Sequence, residues 1–451
     1  MKRISSVFLF FKNKIKRHPE FAKIVVNINW LFFDKAIQMA VAFFVGVWVI
    51  RYLGPEKYGI LSYAVAFVAL FGFIAKLGMD GVAVREFVKN PEKKEEIFGT
   101  LFFLKLVAGF LAFVSALIVI FFIKQNDSVV LGLAVIIALG FIFQVSDIFD
   151  FWFQSRVSSK YVVYVRSLAS ILSGLVKVVL VLMRASIFAF AWVMLFEAVL
   201  TLTGFIIVFL KKKEKISISK IDFSIGKKIL SDSWPLILSG VAVTIYMKID
   251  QIMIGNMLNN ESLGNYSAAV SLSEMWYFFP VVIASSVFPA VLYTRKYDKI
   301  LYKKRLQDLY DFMMWSSIAF AIPVSLFSKN IINLLFGQQY AQAAPVLSVY
   351  VWAGIAVSLG VASSNYLIAE NLTKISFYRT FFGAVLNVFL NLILIPKYGI
   401  IGSAIATLVS YTVATFSVIF FAKSRETFIM LFKTLNLFRI IKGIRCNYRS
   451  F

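Results

Sequence analysis

The placement of positive charge along an otherwise apolar chain leaves little freedom in how it folds. From about residue 27 to about residue 422, twelve long apolar stretches follow one another, and most of the 47 Lys and Arg crowd into every second gap between them. Cytoplasmic loops of membrane proteins carry this excess, so the pattern predicts both the number of spans and their direction. The expected fold is all-α and polytopic, with about 12 transmembrane helices. The chain is 60% hydrophobic, well above the roughly 45–50% of soluble proteins. At about 20 residues per span, twelve spans and short loops use nearly all 451 residues. That leaves no room for a soluble catalytic domain.

The net charge of +24 would suggest nucleic acid in a soluble protein. Here it lies in juxtamembrane loops, where orientation and anionic membrane lipids account for it. With one cysteine, Cys446, and one histidine, His18, neither an internal disulfide nor a His/Cys metal site is expected. No cofactor is implied. The first apolar stretch is too long for the apolar core of a cleaved signal peptide and lacks a small-residue cleavage site, so it reads as a retained span with a cytoplasmic N-terminus.

The expected spans are 27–50, 58–79, 98–123, 128–150, 161–182, 186–210, 231–254, 263–290, 309–328, 344–368, 376–395 and 400–422. Basic inside gaps fall at 80–97, 151–160, 211–230 and 291–308, whereas outside gaps such as Lys124–Asp127 and Pro396–Gly399 are tiny and nearly uncharged. Residues 1–26 and 424–451 read as basic, amphipathic cytoplasmic segments suited to lying on the inner leaflet.

The chain also repeats itself. Leu53, Glu56, Gly59, Ser62 and Ala64 recur at one constant offset as Leu258, Glu261, Gly264, Ser267 and Ala269. Asn29-Trp30 is echoed by Ser233-Trp234, and Lys160…Arg166 more weakly by Lys374…Arg379. Two six-helix bundles, 27–210 and 231–423, joined by a basic linker at 211–230, are therefore expected. Both begin on the inside, so an axis along the membrane normal relates them.

Ionisable groups within spans cost about 2.5–3.5 kcal/mol at a helix centre on insertion scales, so they face a cavity or a partner. Asp34, Lys35 and Lys105 lie near the inner ends of their spans and are expected to snorkel to the interface. Gln144, Asp147, Asp150 and Gln154 recur at three- and four-residue steps, one polar helical face leading inward, and read as a water-lined entrance. Lys177, Glu197 and Glu274 lie deeper and suggest a cavity, or an interhelical ion pair such as Lys177 with Glu197. Lys248 and Asp250 stand about 200° apart on a helix and need separate partners. Pro235, Pro280, Pro289 and Pro323, with Gly240 and Gly255, suggest bends in spans seven to nine. The chain has no phosphate-binding Gly loop, His cluster or nucleophile signature.

Several motifs in order resemble one known family. They are Asn29-Trp30, Arg51-Tyr-Leu-Gly-Pro-Glu-Lys-Tyr-Gly59, Leu77-Gly-Met-Asp80-Gly-Val-Ala-Val-Arg85, Phe151-Trp-Phe-Gln154, Lys248-Ile-Asp250-Gln-Ile-Met-Ile-Gly255, Gly264-Asn-Tyr-Ser-Ala-Ala, Glu274-Met-Trp276, Phe336-Gly-Gln-Gln-Tyr340 and Ile395-Pro-Lys-Tyr-Gly399-Ile-Ile-Gly402. Across essentially the whole chain they resemble the polysaccharide-exporter family of O-antigen and capsule repeat-unit flippases (Wzx-like). This family belongs to the multidrug/oligosaccharidyl-lipid/polysaccharide superfamily.

The resemblance implies two six-helix bundles around a central cavity that opens alternately to each side of a bacterial plasma membrane. It implies transfer of an undecaprenyl-diphosphate-linked oligosaccharide from the inner to the outer leaflet, without enzymatic catalysis. Polysaccharide-assembly membrane proteins would be its partners. Under that implication Lys35, Lys177, Lys248, Arg85 and Gln154 would line the cavity. Asp34, Glu197, Asp250 and Glu274 would take a coupling proton or sodium ion or pair with the lysines, and Gln144, Asp147 and Asp150 would line the entrance. The rivals are a multidrug/cation antiporter of the same superfamily, whose cationic substrate favours an acidic lining, and a lipid-linked oligosaccharide polymerase, which would need a large catalytic outside loop.

Overall fold

A computed structural model describes residues 19–212, 220–295, 297–370 and 372–436. The first 18 residues of the expected N-terminal amphipathic segment lie outside the described residues, and the final tail is described as far as Asn436, including the short helix Arg425–Lys433. Every regular element among the described residues is helical, as the apolar runs predict.

Among the described residues, ten helical stretches are long and apolar enough to cross a membrane. The expected span 58–79 lies only partly within them, because its helix ends at Ala69 and the short helix Gly72–Lys76 follows a turn. Pro19–Ala69 is two helices joined at Gly54 (φ 73°), and Thr373–Phe416 is two joined at Gly399 (φ 58°). Both glycines occupy the left-handed region that a Cβ disfavours. Each follows a span end so closely that no separate loop intervenes. The expected span 128–150 is interrupted by a 3₁₀ turn at Gln144–Ser146. The expected span 263–290 breaks between Met275 and Phe278.

The helices pack by presenting small residues to one another and large ones to lipid. Lys94–Ile123 buries Ala108, Gly109, Ala112 and Ala116 along one stripe. A Cβ on Gly109 would lie 2.5 Å from the Phe141 carbonyl oxygen, so this helix and Ser128–Phe143 touch backbone to backbone. On the opposite face Phe110, Leu111, Ile118 and Phe122 are exposed, the expected surface for acyl chains.

The chain divides into two compact units. One takes the chain up to Val49 together with Phe71–Ile237, and the other takes Ile50–Leu70 together with the chain from Leu238. Relative to the bounds 27–210 and 231–423, each unit thus includes a segment from across the linker. In the first unit a Cβ on Gly78 would meet the Ser233 carbonyl oxygen at 3.0 Å and the Ile237 nitrogen at 2.9 Å, which ties the start of Phe223–Met257 to this unit. An aromatic core of Phe87, Phe98, Phe149, Trp152, Phe153, Phe205 and Phe209 consolidates it. In the second unit Tyr302, Leu306, Tyr310, Met313, Leu359 and Leu431 form the main core.

Also in the second unit, Ile50–Leu70 is held at several points. Tyr340 donates to the Ile50 carbonyl (2.8 Å), Gln339 to the Arg51 carbonyl (2.7 Å) and Tyr63 to Asn256 Oδ1 (3.0 Å).

Candidate functional site

The first unit carries a continuous polar chain. Lys105, at the head of the small-residue stripe, pairs through Nζ with Asp147 Oδ2 at 2.8 Å. Arg166, on Lys160–Leu182, reaches Asp150 Oδ2 at 2.8 Å and Asp147 Oδ1 at 3.9 Å. Gln154 donates to Asp150 Oδ1 at 2.8 Å. The predicted face therefore exists, but only after the 3₁₀ turn, with Asp147 and Asp150 in the first turn of Asp147–Ser155. Acidic side chains suit that end of a helix, where unsatisfied backbone N–H groups make the potential positive. Gln144 Oε1 is buried without a hydrogen-bond donor among the described residues. Gln154 is exposed.

Two expectations are corrected. Lys105 does not snorkel: it is 1% exposed, because Asp147 offers a closer counter-charge than the interface does. Asp34 is likewise buried, accepting from Ser167 Oγ (3.0 Å) and Gln38 Nε2 (2.9 Å), which satisfy its oxygens in place. Lys35, one residue on, is exposed. Removing one member of a buried ion pair costs about 3–5 kcal/mol, and Asp147 is partly solvated, so the lower end applies. Lys105→Met is expected to destabilise the protein by about 3 kcal/mol. Lys105→Met with Asp147→Leu should recover part of that loss. Thermal melting in detergent checks both, and equal melting of Lys105→Met and the parent would remove the pair from the account.

Deeper in the same unit Lys177 lies 3.7 Å from Glu197, the pair the sequence suggests, and Ser173 donates to Glu197 at 2.8 Å. Arg85 takes a different position. Its guanidinium contacts Asp232 closely, and Lys228 binds the neighbouring Glu86 at 2.9 Å. Both contacts join Asp80–Lys89 to the start of Phe223–Met257, so the charge of Arg85 is committed to Asp232.

In the second unit Lys248 and Asp250 have separate partners, as their angular separation demands. Lys248 lies 3.7 Å from Glu274, which stands just before the break at the end of Asn260–Met275. Asp250 is 3% exposed and accepts from Tyr266 (2.7 Å), Asn391 (2.9 Å) and Thr407 (2.5 Å). Asn391 also donates to Asn387 (3.1 Å), and its own Oδ1 is buried without a donor among the described residues. The cage thus holds one carboxylate, two amide oxygens and two hydroxyls.

The partners in this cage escape sequence reasoning because they are uncharged. The i, i+4 pair Asn387 and Asn391 in an otherwise apolar helix was the available signal. Arg379 is also new. It is buried, donating to Ser363 Oγ (2.7 Å), to the Gly360 carbonyl (2.8 Å) and to Ser364 Oγ.

Both lysine–glutamate distances of 3.7 Å exceed hydrogen-bond range. With Lys177 and Lys248 side chains 25% and 27% exposed, their ammonium donors are held near a carboxylate without being consumed by it. Such charge inside long apolar helices, with every regular element among the described residues helical, defines a polytopic membrane protein. Within that class the chain belongs to the polysaccharide biosynthesis protein family, which it matches over residues 24–294. Residues 235–393 also match the MatE family.

A probable low-salt glycan biosynthesis flippase of Haloferax volcanii is 27% identical over 203 residues, 44% of this chain and 42% of that protein. The chain thus spans less than half the length of that relative. An uncharacterised membrane protein of Methanocaldococcus jannaschii is 22% identical over 86% of this chain and 82% of its own. A capsular polysaccharide biosynthesis protein of Staphylococcus aureus is 21% identical over 88% and 99%. Among solved structures, an inward-facing multidrug resistance MATE family transporter superposes with TM-score 0.72 at 16% identity, covering 88% of this chain and 96% of that one. A lipid II flippase in an inward closed conformation gives 0.67 at 18% identity, covering 91% of each. These likenesses describe the fold.

Proposed function

We propose that this protein moves a lipid-linked oligosaccharide, in the form of an undecaprenyl-diphosphate-linked repeat unit or its counterpart on another polyprenyl carrier, from the inner to the outer leaflet by alternating access. The lipid tail stays in the bilayer while the glycan crosses through a hydrated passage. The observation that carries the reading is the pair of loosely neutralised lysines, Lys177 beside Glu197 and Lys248 beside Glu274. A diphosphate needs fixed cationic donors, and each lysine keeps donors that a phosphate oxygen can take. The neighbouring glutamates then supply the counter-charge that restores the lysines after release, so neither is left as a bare cation within a span.

Asp250 is assigned to the coupling ion, a proton or sodium, and Asp147, Asp150 and Gln154 to the inner entrance. The protein is assigned to a plasma membrane; relatives in Haloferax volcanii, Methanocaldococcus jannaschii and Staphylococcus aureus support that reading without restricting it to bacteria.

Lys177→Gln with Lys248→Gln should abolish export of surface glycan while the protein stays at normal abundance in the membrane. Lipid-linked units should then accumulate on the inner leaflet, measured by their protection from an externally added glycan oxidant. Normal surface glycan in that double variant would remove the lysines from the mechanism. Efflux of a cationic dye that survives in the double variant would favour the antiporter reading instead.

A further inference from the structure

The second unit contains a cavity of about 210 Å³ with Tyr246, Tyr277, Ser364, Arg379, Thr380 and Tyr411 in its wall. Arg379 is 6% exposed. Its hydrogen bonds go to two serine hydroxyls and one backbone carbonyl, and no carboxylate among the described residues pairs with it. A guanidinium has five N–H donors in a rigid fork, so these three acceptors leave donors available. Holding such a cation within a span without an acidic partner is costly.

The weak internal repeat gives a direct comparison. Arg166, its echo in the first unit, spends its charge on Asp150 at 2.8 Å. In the second unit, Ser363 and Ser364 stand against Arg379 where the first unit has carboxylates against Arg166. One arginine is neutralised from within the protein. The other is oriented, hydrogen-bonded and left with its charge unmatched beside a cavity.

The rest of the wall indicates what supplies the missing anion. Tyr246 and Tyr411 stack with ring centroids 4.0 Å apart, and Tyr411 donates to the Tyr246 carbonyl at 3.3 Å, which fixes both rings. Tyrosines offer a flat apolar face and a polar edge. A pyranose ring has the complementary form, an apolar C–H face rimmed by hydroxyls, which Thr380 and Ser364 can meet. The volume lies below the roughly 300–1,000 Å³ of pockets for larger ligands. It suits one sugar ring rather than a diphosphate together with its attached sugar.

We propose that this cavity binds a single acidic sugar of the transported glycan, with its carboxylate or phosphate on the Arg379 guanidinium and its ring against the tyrosines. The inference rests on the flippase reading for the identity of the cargo, but the site stands on its own geometry.

The test uses the full-length protein in lipid nanodiscs, with binding followed by calorimetry. The probes are D-glucuronate, D-glucose 6-phosphate, D-glucose and farnesyl diphosphate. Glucuronate and glucose 6-phosphate should bind and compete with each other, whereas glucose and farnesyl diphosphate should not displace them. Arg379→Gln should weaken glucuronate at least tenfold. Because that change can disturb folding, Ser364→Asp is the second variant. It places a carboxylate beside Arg379, recreates the first unit's arrangement, and should weaken glucuronate by a similar factor in a folded protein.

Absence of glucuronate binding, or unchanged affinity in Ser364→Asp, overturns the proposal. Displacement by farnesyl diphosphate also overturns it, by assigning the arginine to the lipid diphosphate. A parallel proteoliposome assay with a lipid-linked glycan separates the two readings. Glycan transfer without Arg379-dependent glucuronate binding sinks the acidic-sugar site and leaves the flippase. Arg379-dependent binding without glycan transfer sinks the flippase and leaves the site.

Discussion

A leucine at Gly264 should leave the protein in the membrane but cut glycan export at least tenfold. A Cβ at this position would lie 1.8 Å from the Pro55 carbonyl oxygen, and one at Gly59 would lie 1.8 Å from the Asn260 carbonyl oxygen. The two contacts are reciprocal: each glycine receives the backbone of the segment that carries the other, at the one offset that relates the repeats. The obstructing atoms are backbone, so no side-chain rotation relieves the clash. Ordinary overpacking costs about 1–3 kcal/mol, and a contact this short must part instead.

Around it lie the bonds of Tyr340 to Ile50, of Gln339 to Arg51 and of Tyr63 to Asn256. Parting the glycines therefore weakens the whole attachment of Ile50–Leu70 to its unit. A carrier that cycles must make and break such a seam, and a protein unable to close it should stall. Ser62, which is 8% exposed, reports on the seam when replaced by cysteine in a Cys446→Ser background. Its reaction with a membrane-impermeant maleimide should rise in Gly264→Leu. Wild-type export together with unchanged protection of that cysteine would refute the argument.

The second large effect is expected at Asp250. Asparagine there keeps the volume but places an amide N–H₂ where Tyr266, Asn391 and Thr407 already aim donors. One oxygen then faces three donors, and each buried group left unsatisfied costs about 1–3 kcal/mol. The cage also loses its only charge. Asp250→Asn should thus bind no coupling cation. In proteoliposomes its glycan transfer should fall at least tenfold and cease to respond to an imposed sodium or proton gradient. Asp250→Leu should in addition lower the melting temperature, since it offers those donors no acceptor at all. Gradient-driven transfer at the parental rate in Asp250→Asn would remove Asp250 from coupling.

Much of this was legible in the chain because membrane insertion writes its rules locally. Most of the spans could be read from apolar length alone, and Gly54 and Gly399 mark kinks at which one helix follows another without a loop. The separation of Lys248 from Asp250 followed from helical geometry, and the ion pair of Lys177 with Glu197 was one of the two readings that their depth in neighbouring spans offered. Lys105 and Asp34 were misjudged because depth along a span tells how far the interface is, but not whether a closer partner exists. Arg166 found Asp150 across a helix boundary, and Arg379 found only serines and a carbonyl. No spacing within one helix could have distinguished those two outcomes.

The apolar periods and the Lys/Arg bias are properties of single segments interacting with lipid and water, so the chain alone determined its class, its spans and its internal repetition. Which polar groups meet depended on contacts between helices far apart in sequence. The exchange of Ile50–Leu70 into the second unit, the uncharged cage around Asp250 and the unmatched charge of Arg379 were decided only by tertiary packing. The physical reason is that burying a hydroxyl or an amide leaves almost no trace in hydropathy, while its energetic consequence depends wholly on the partner brought beside it.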